Sequence, residues 1–195
     1  MNRFLITQSL LSDFAWIFKK EEGYADFLQT LRKEPKPQSK AMFAGIAFED
    51  AVTAYAQDGA LDDGHKHAAC IREVGDACRG GQFQVRLSRE IEVGGVQFLA
   101  YGVLDCLREG EIKDIKFSKT YAVGKYRDSP QHPMYFYLCP EARAFEYLVS
   151  DGEWVYRERY TPDITEPVYV LIKHFMAWLD KQNLVDEYAR YWRAQ

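Results

Sequence analysis

Three charged residues stand in a segment that otherwise reads as buried strand: Asp105, Asp114 and Lys116 within YGVLDCLREGEIKDIKF, residues 101–117. An unpaired charge in a core is expensive, so such groups are paired, bind a metal, or are not truly buried. Asp114 and Lys116 are two residues apart, so on a strand both project from the same face. Asp105 lies at the far end of the preceding strand, across a tight turn, where a suitable register brings it beside Asp114. Two carboxylates at that distance repel and raise one pKa. A hard divalent cation, Mg²⁺ or Mn²⁺, relieves the repulsion through carboxylate oxygens. The lysine beside them can orient or help deprotonate a water, or stabilise charge on a phosphate oxygen.

The elements that must hold these residues are legible as patterns. Residues 82–93, QFQVRLSREIEV, alternate apolar and polar, with Phe83, Val85, Leu87, Ile91 and Val93 on one side. Gly94-Gly95 is a hairpin turn, and Glu109-Gly110 is a second. VQFLAYGVLDCLRE between them is apolar on both faces and is expected at the centre of the sheet. FEYLVSD and WVYRERY, split by Gly152, make another hairpin. Upstream, Ala44, Ala47, Phe48, Ala51, Val52 and Tyr55 form one apolar helical stripe. A helix ended by Gly80 and Gly81 follows. The first segment, LITQSLLSDFAWIFKK onward, reads as helical, capped by Thr7 or Ser9 and interrupted near Gly23. A short helix is expected near 130–139 and one long helix from about Thr165 to the end. The order predicts an α/β or α+β fold, a mixed central sheet flanked by helices with helical additions at both ends. One domain, with a core from about 42 to 160, is expected for the 195 residues.

GVLD at 102–105 followed by DIK at 114–116 resembles the Gxx-D…(D/E)xK core of the PD-(D/E)XK nuclease superfamily. GIAFE at 45–49 resembles the upstream helical Gxxx(H/E) motif of the branch containing RecB-type nuclease domains and lambda exonuclease. QHPMY at 131–135 resembles that branch's downstream QxxxY motif. The order holds from Gly45 to Tyr135, roughly the central half of the chain. The resemblance implies a restriction-endonuclease-like core and a metal-dependent DNA nuclease, with an exonuclease of recombination, repair or phage DNA processing in view. It implies Glu49, Asp105, Asp114 and the carbonyl of Ile115 as ligands of Mg²⁺ or Mn²⁺, and Lys116 as the residue serving the water and phosphate. Gln131 and Tyr135 would contact nucleic acid or brace the lysine. The chain departs from the pattern in three ways. Position 114 is Asp where the branch often has Glu, position 49 is Glu where RecB-type members often have His, and Pro133 confines Gln131 to a helix start. Cys70, Cys78, Cys106 and Cys139 do not match the cysteine spacing of iron–sulphur members, so no cluster is expected.

A net charge of -4 gives no global pull toward nucleic acid, so contact with DNA must rest on local charge. Residues 111–127 supply it, with Lys113, Lys116, Lys119, Lys125 and Arg127 against Glu111 and Asp114. Lys119 and Lys125 are therefore candidate phosphate contacts. A homo-oligomer or a recombination partner protein is compatible with the family. No signal peptide or apolar run of membrane length is read, so a cytoplasmic protein without a membrane partner is expected. His65, His67 and Cys70 lack a fourth ligand at zinc spacing and read as a polar surface loop. His132 either lines the DNA path or sits at the surface. Tyr188, Tyr191 and Trp192 read as buried aromatics of a terminal helix rather than a base-stacking platform. The alternative function is the same fold without catalysis, holding nucleic acid or a protein; an unrelated α/β protein is the third reading.

Overall fold

A computed structural model describes residues 3–19 and 21–194. Its six described strands are β1 (Phe4–Thr7), β2 (Gln82–Val93), β3 (Val96–Arg108), β4 (Glu111–Phe117), β5 (Ala144–Ser150) and β6 (Val155–Tyr160). The seven described α-helices are α1 (Gln8–Trp16), α2 (Gly23–Leu31), α3 (Lys40–Asp58), α4 (Ala68–Cys78), α5 (Gln131–Leu138), α6 (Val168–Lys181) and α7 (Val185–Tyr191). They form one mixed sheet flanked by helices, an α+β fold. No described helix is long and apolar enough to cross a membrane.

The hairpin turns form where the glycines place them. Gly94 and Gly95 have φ of 60° and 79°, and Glu109 and Gly110 have 51° and 75°. Positive φ at both central residues matches the twist of the strands they join. β3 therefore pairs antiparallel with β2 along one edge. Its other edge is shared. β1 runs parallel to Phe98–Tyr101, and β4 runs antiparallel to Cys106–Arg108. β5 then pairs parallel with β4, and β6 antiparallel with β5.

Two apolar clusters sandwich the sheet. One joins Ile6, Phe98, Ala100, Leu104, Ile112, Phe145 and Tyr147 to helices α1, α2, α5, α6 and α7. The other joins Cys106, Ile115 and Leu148 to Phe48, Val52 and Ala56 of α3 and to Cys70, Ile71, Val74 and Cys78 of α4. Burial of this apolar surface, at roughly 25 cal/mol per Å², holds the helices to the sheet. All four cysteines are buried free thiols.

Two expectations are corrected at the ends of the chain. The opening is not wholly helical: Phe4–Thr7 is a strand, and Leu5 N donates to Trp192 O over 2.6 Å. Thr7 does cap α1, its hydroxyl accepting from Leu10 N. The terminal helix is not continuous either. It breaks after Lys181, where Asn183 takes a φ of 58°, a conformation Asn tolerates better than most residues. Tyr188 and Trp192 are buried, donating to Leu5 O and Leu31 O over 2.8 Å each.

Candidate active site

The shared edge of β3 leaves a gap. Residues 102–105 pair with neither β1, whose pairing stops at Tyr101 of β3, nor β4, whose pairing begins at Cys106 of β3. Side chains close this gap instead. Tyr135 of α5 donates its hydroxyl to Val103 O at 2.8 Å. Asp105 Oδ2 accepts from Ile115 N at 2.8 Å, so a carboxylate bridges β3 to β4 where the ladder ends. N–H and C=O of one strand residue leave on the same edge. The Ile115 carbonyl therefore faces this gap as well.

The strands also turn over here. Phe83 is registered with Cys106 and Val85 with Leu104, which sets Gln84 opposite Asp105. Phe83 and Cys106 pack with the α3–α4 cluster, whereas Val85 and Leu104 pack with the other cluster. Strict alternation would have kept Phe83 beside Val85, and the expectation of one apolar side for β2 is corrected accordingly. The change of face coincides with Gln84, whose φ is 52°.

The gap lets residues from both faces of the sheet meet. Glu49 enters from α3, and Gln84 Nε2 donates to its Oε1 at 2.6 Å. Gln131 enters from the start of α5 and donates Nε2 to Asp114 Oδ1 at 2.8 Å. Asp114 is 1% exposed. Lys116 Nζ lies 2.5 Å from Asp114 Oδ2, an ion pair inside the site.

Burial, then the nearby Asp105 and Asp114 charges, push the Glu49 carboxyl up to about 7 despite Lys116. Burial likewise pushes Asp114 up to about 7, against the pull of Lys116 and with a further push from Asp105. Asp105 is also raised by burial, partly offset by Lys116 and the Ile115 N–H. Burial opposes the charge on Lys116, but Asp114 and Asp105 overcome it and raise its pKa. Its side chain keeps 28% exposure.

Among the described residues, no three His, Cys, Asp or Glu side chains are arranged to hold a metal ion. The donor chemistry nevertheless suits a hard cation. Asp105 and Asp114 raise the Glu49 carboxyl, Asp105 raises that of Asp114, and carboxylate oxygens are what a hard cation selects. Glu49, Asp105 and Asp114, with the Ile115 carbonyl, are the groups that would hold it.

The expected nucleic-acid contacts fall into two sets. Gln131 and Tyr135 turn inward, onto Asp114 and the β3 backbone, and neither braces Lys116. Lys125 holds its own loop, donating to Ser118 Oγ at 2.6 Å and Thr120 O at 2.8 Å, while Lys119 is exposed. Lys113 is not part of the basic surface: it points to the opposite face and is locked to Glu111 at 2.6 Å and Glu146 at 2.7 Å. His132 is buried, stacked on Tyr160 at 4.2 Å, rather than at the surface. His67 ties α4 to the β5–β6 turn, Nδ1 lying 3.0 Å from Gly152 O. Gln84 had no signal in the sequence, since a polar residue at its position fits ordinary strand alternation.

No family model and no curated protein matches the chain. Among solved structures it is similar to SSO0001, over 91% of this chain and 78% of that one, with a TM-score of 0.53 and 15% identity. At that identity the likeness concerns the fold alone.

Proposed function

We propose that the chain is a divalent-metal-dependent deoxyribonuclease that hydrolyses phosphodiester bonds. One observation carries this reading. Glu49 from one face of the sheet meets Asp105, Asp114 and Lys116 where β3 and β4 separate, and their charges act on one another. The resemblance in GIAFE, GVLD, DIK and QHPMY supplies the same residues independently of the geometry.

Bound Mg²⁺ or Mn²⁺ would polarise the phosphate and lower the pKa of water. The protein's own share is positioning. The Ile115 N–H fixes Asp105, Gln131 fixes one oxygen of Asp114, and Gln84 fixes Glu49. Lys116 is held in its charged form, so it donates rather than accepts. It orients a water and stabilises charge on a phosphate oxygen as the P–O3′ bond breaks. Lys119, exposed beyond β4, would meet the DNA backbone. The second reading is a nuclease fold that binds nucleic acid or protein without cutting.

Incubation with linear and circular, single- and double-stranded DNA, with Mg²⁺, Mn²⁺ or EDTA, tests the proposal. Metal-dependent cleavage supports it. Binding without cleavage under every metal condition favours the inert module.

A further inference from the structure

The geometry points to Gln84 as a positioning residue for Glu49, holding that carboxylate toward Asp105 and Asp114 from the neighbouring edge strand. This rests on the nuclease reading and adds to it a residue outside the four motifs. Three observations converge on it.

The first is the contact itself: Gln84 Nε2 donates to Glu49 Oε1 at 2.6 Å. The second is the backbone. Gln84 lies within a twelve-residue strand yet has a φ of 52°, a left-handed conformation that a side-chain-bearing residue adopts only under strain. Strain of that kind persists where the surroundings hold it. The third is place. The register sets Gln84 opposite Asp105, and both strands change face at this pair. The residue between Phe83 and Val85 can therefore aim its side chain at α3, which a regular strand would not allow at this step.

The arrangement gives each acid its own donor: Gln84 for Glu49, the Ile115 N–H for Asp105, and Gln131 for Asp114. Groups that orient metal-binding carboxylates in this way are typically worth 10–100-fold in metal affinity or activity. Glu49 needs its donor most, because it is carried on a separate helix rather than on the strands bearing Asp105 and Asp114.

The test uses the whole chain and two variants. Gln84→Gly removes the donor and relaxes the backbone. Gln84→Met keeps the length but has neither the amide donor nor a metal-binding oxygen. Mn²⁺ binding is measured by calorimetry, and DNA cleavage is followed across Mg²⁺ concentrations. Both variants are expected to bind Mn²⁺ roughly 10–100-fold more weakly and to need correspondingly more Mg²⁺, with KM for DNA unchanged. In a Glu49→Gln background, Gln84→Gly should have no further effect on Mn²⁺ affinity, since the partner is already gone. A Gln84→Gly protein that binds Mn²⁺ and cuts like the parent overturns the inference and leaves the nuclease reading standing. So does an effect that adds in full to that of Glu49→Gln. A parent that neither binds Mn²⁺ nor cuts DNA overturns both.

Discussion

The ring of Tyr135 lies directly against Gly102: a Cβ added to the glycine would meet Tyr135 Cε1 at 2.6 Å and Leu138 Cδ1 at 3.0 Å. One residue on, the Tyr135 hydroxyl holds Val103 O. The glycine of GVLD and the tyrosine of QHPMY are thus two halves of one contact, and it seats α5 over the gap in the sheet. Gly102→Ala should lower stability by about 1–3 kcal/mol through overpacking. Denaturant unfolding checks it. A wild-type midpoint would show that the close approach is dispensable.

Gly45 behaves in the opposite way. A Cβ there meets nothing within 4 Å, so no packed backbone explains the glycine. Gly45→Ala in this helix interior should gain about 0.8–1 kcal/mol, or roughly 2–4 °C in Tm. If the open side beside Glu49 receives the substrate, the same variant should cut DNA more slowly despite its stability. A melting curve beside a cleavage assay reads both.

Much of the layout was legible because period-two alternation, helical apolar stripes and glycine pairs are local signals. β2 to β4, the Gly94-Gly95 and Glu109-Gly110 turns, α3, α4 and the β5–β6 hairpin all follow from them. β1 was not legible, since a four-residue strand with three apolar residues, running straight into a helix, carries no period of its own and pairs only with distant Phe98–Tyr101. The exchange of faces at Gln84 and Asp105 was hidden for a related reason. Alternation assumes a regular strand, and a residue with positive φ breaks it without any mark in the composition. Within the site, Asp105, Asp114 and Lys116 were readable as types and spacings, and Glu49 was named only through the resemblance of GIAFE to a known motif. Their individual donors were not, because Gln84, Gln131 and the Ile115 N–H are brought to them by tertiary packing.

The raised carboxyls set a pH dependence. Asp114 and Glu49 move from 3.8 and 4.5 to about 7 in the folded protein. Between those values the folded state binds more protons than the unfolded state, so stability falls as pH rises. Without metal, this contribution is full below about pH 4 and is lost as pH passes 7. Asp114→Asn should flatten that slope. Added Mn²⁺ should stabilise the parent more at pH 8 than at pH 5.5, since its ligands must be deprotonated. Melting temperatures across pH, with EDTA and with Mn²⁺, test both statements.

Lys113 separates structural charge from substrate-binding charge. Its side chain and that of Glu146 are each 9% exposed, and Arg159 also pairs with Glu111 at 2.6 Å. Lys113→Met leaves Glu146 buried with its nearest cation removed, which should cost about 3–5 kcal/mol. DNA affinity of the folded fraction should not change. Lys119→Ala should do the reverse, weakening DNA binding and its salt dependence without altering the melting temperature.

The most direct measurement compares the parent and Lys116→Ala on linear DNA in Mg²⁺ or Mn²⁺. Because charged Lys116 stands at the mouth of the Asp105–Asp114 pair, its loss should slow cleavage by at least about 10²-fold. The variant should still melt cooperatively and still be stabilised by Mn²⁺. A Lys116→Ala protein that cuts as fast as the parent, or a parent that cuts with neither metal, would contradict the proposed chemistry.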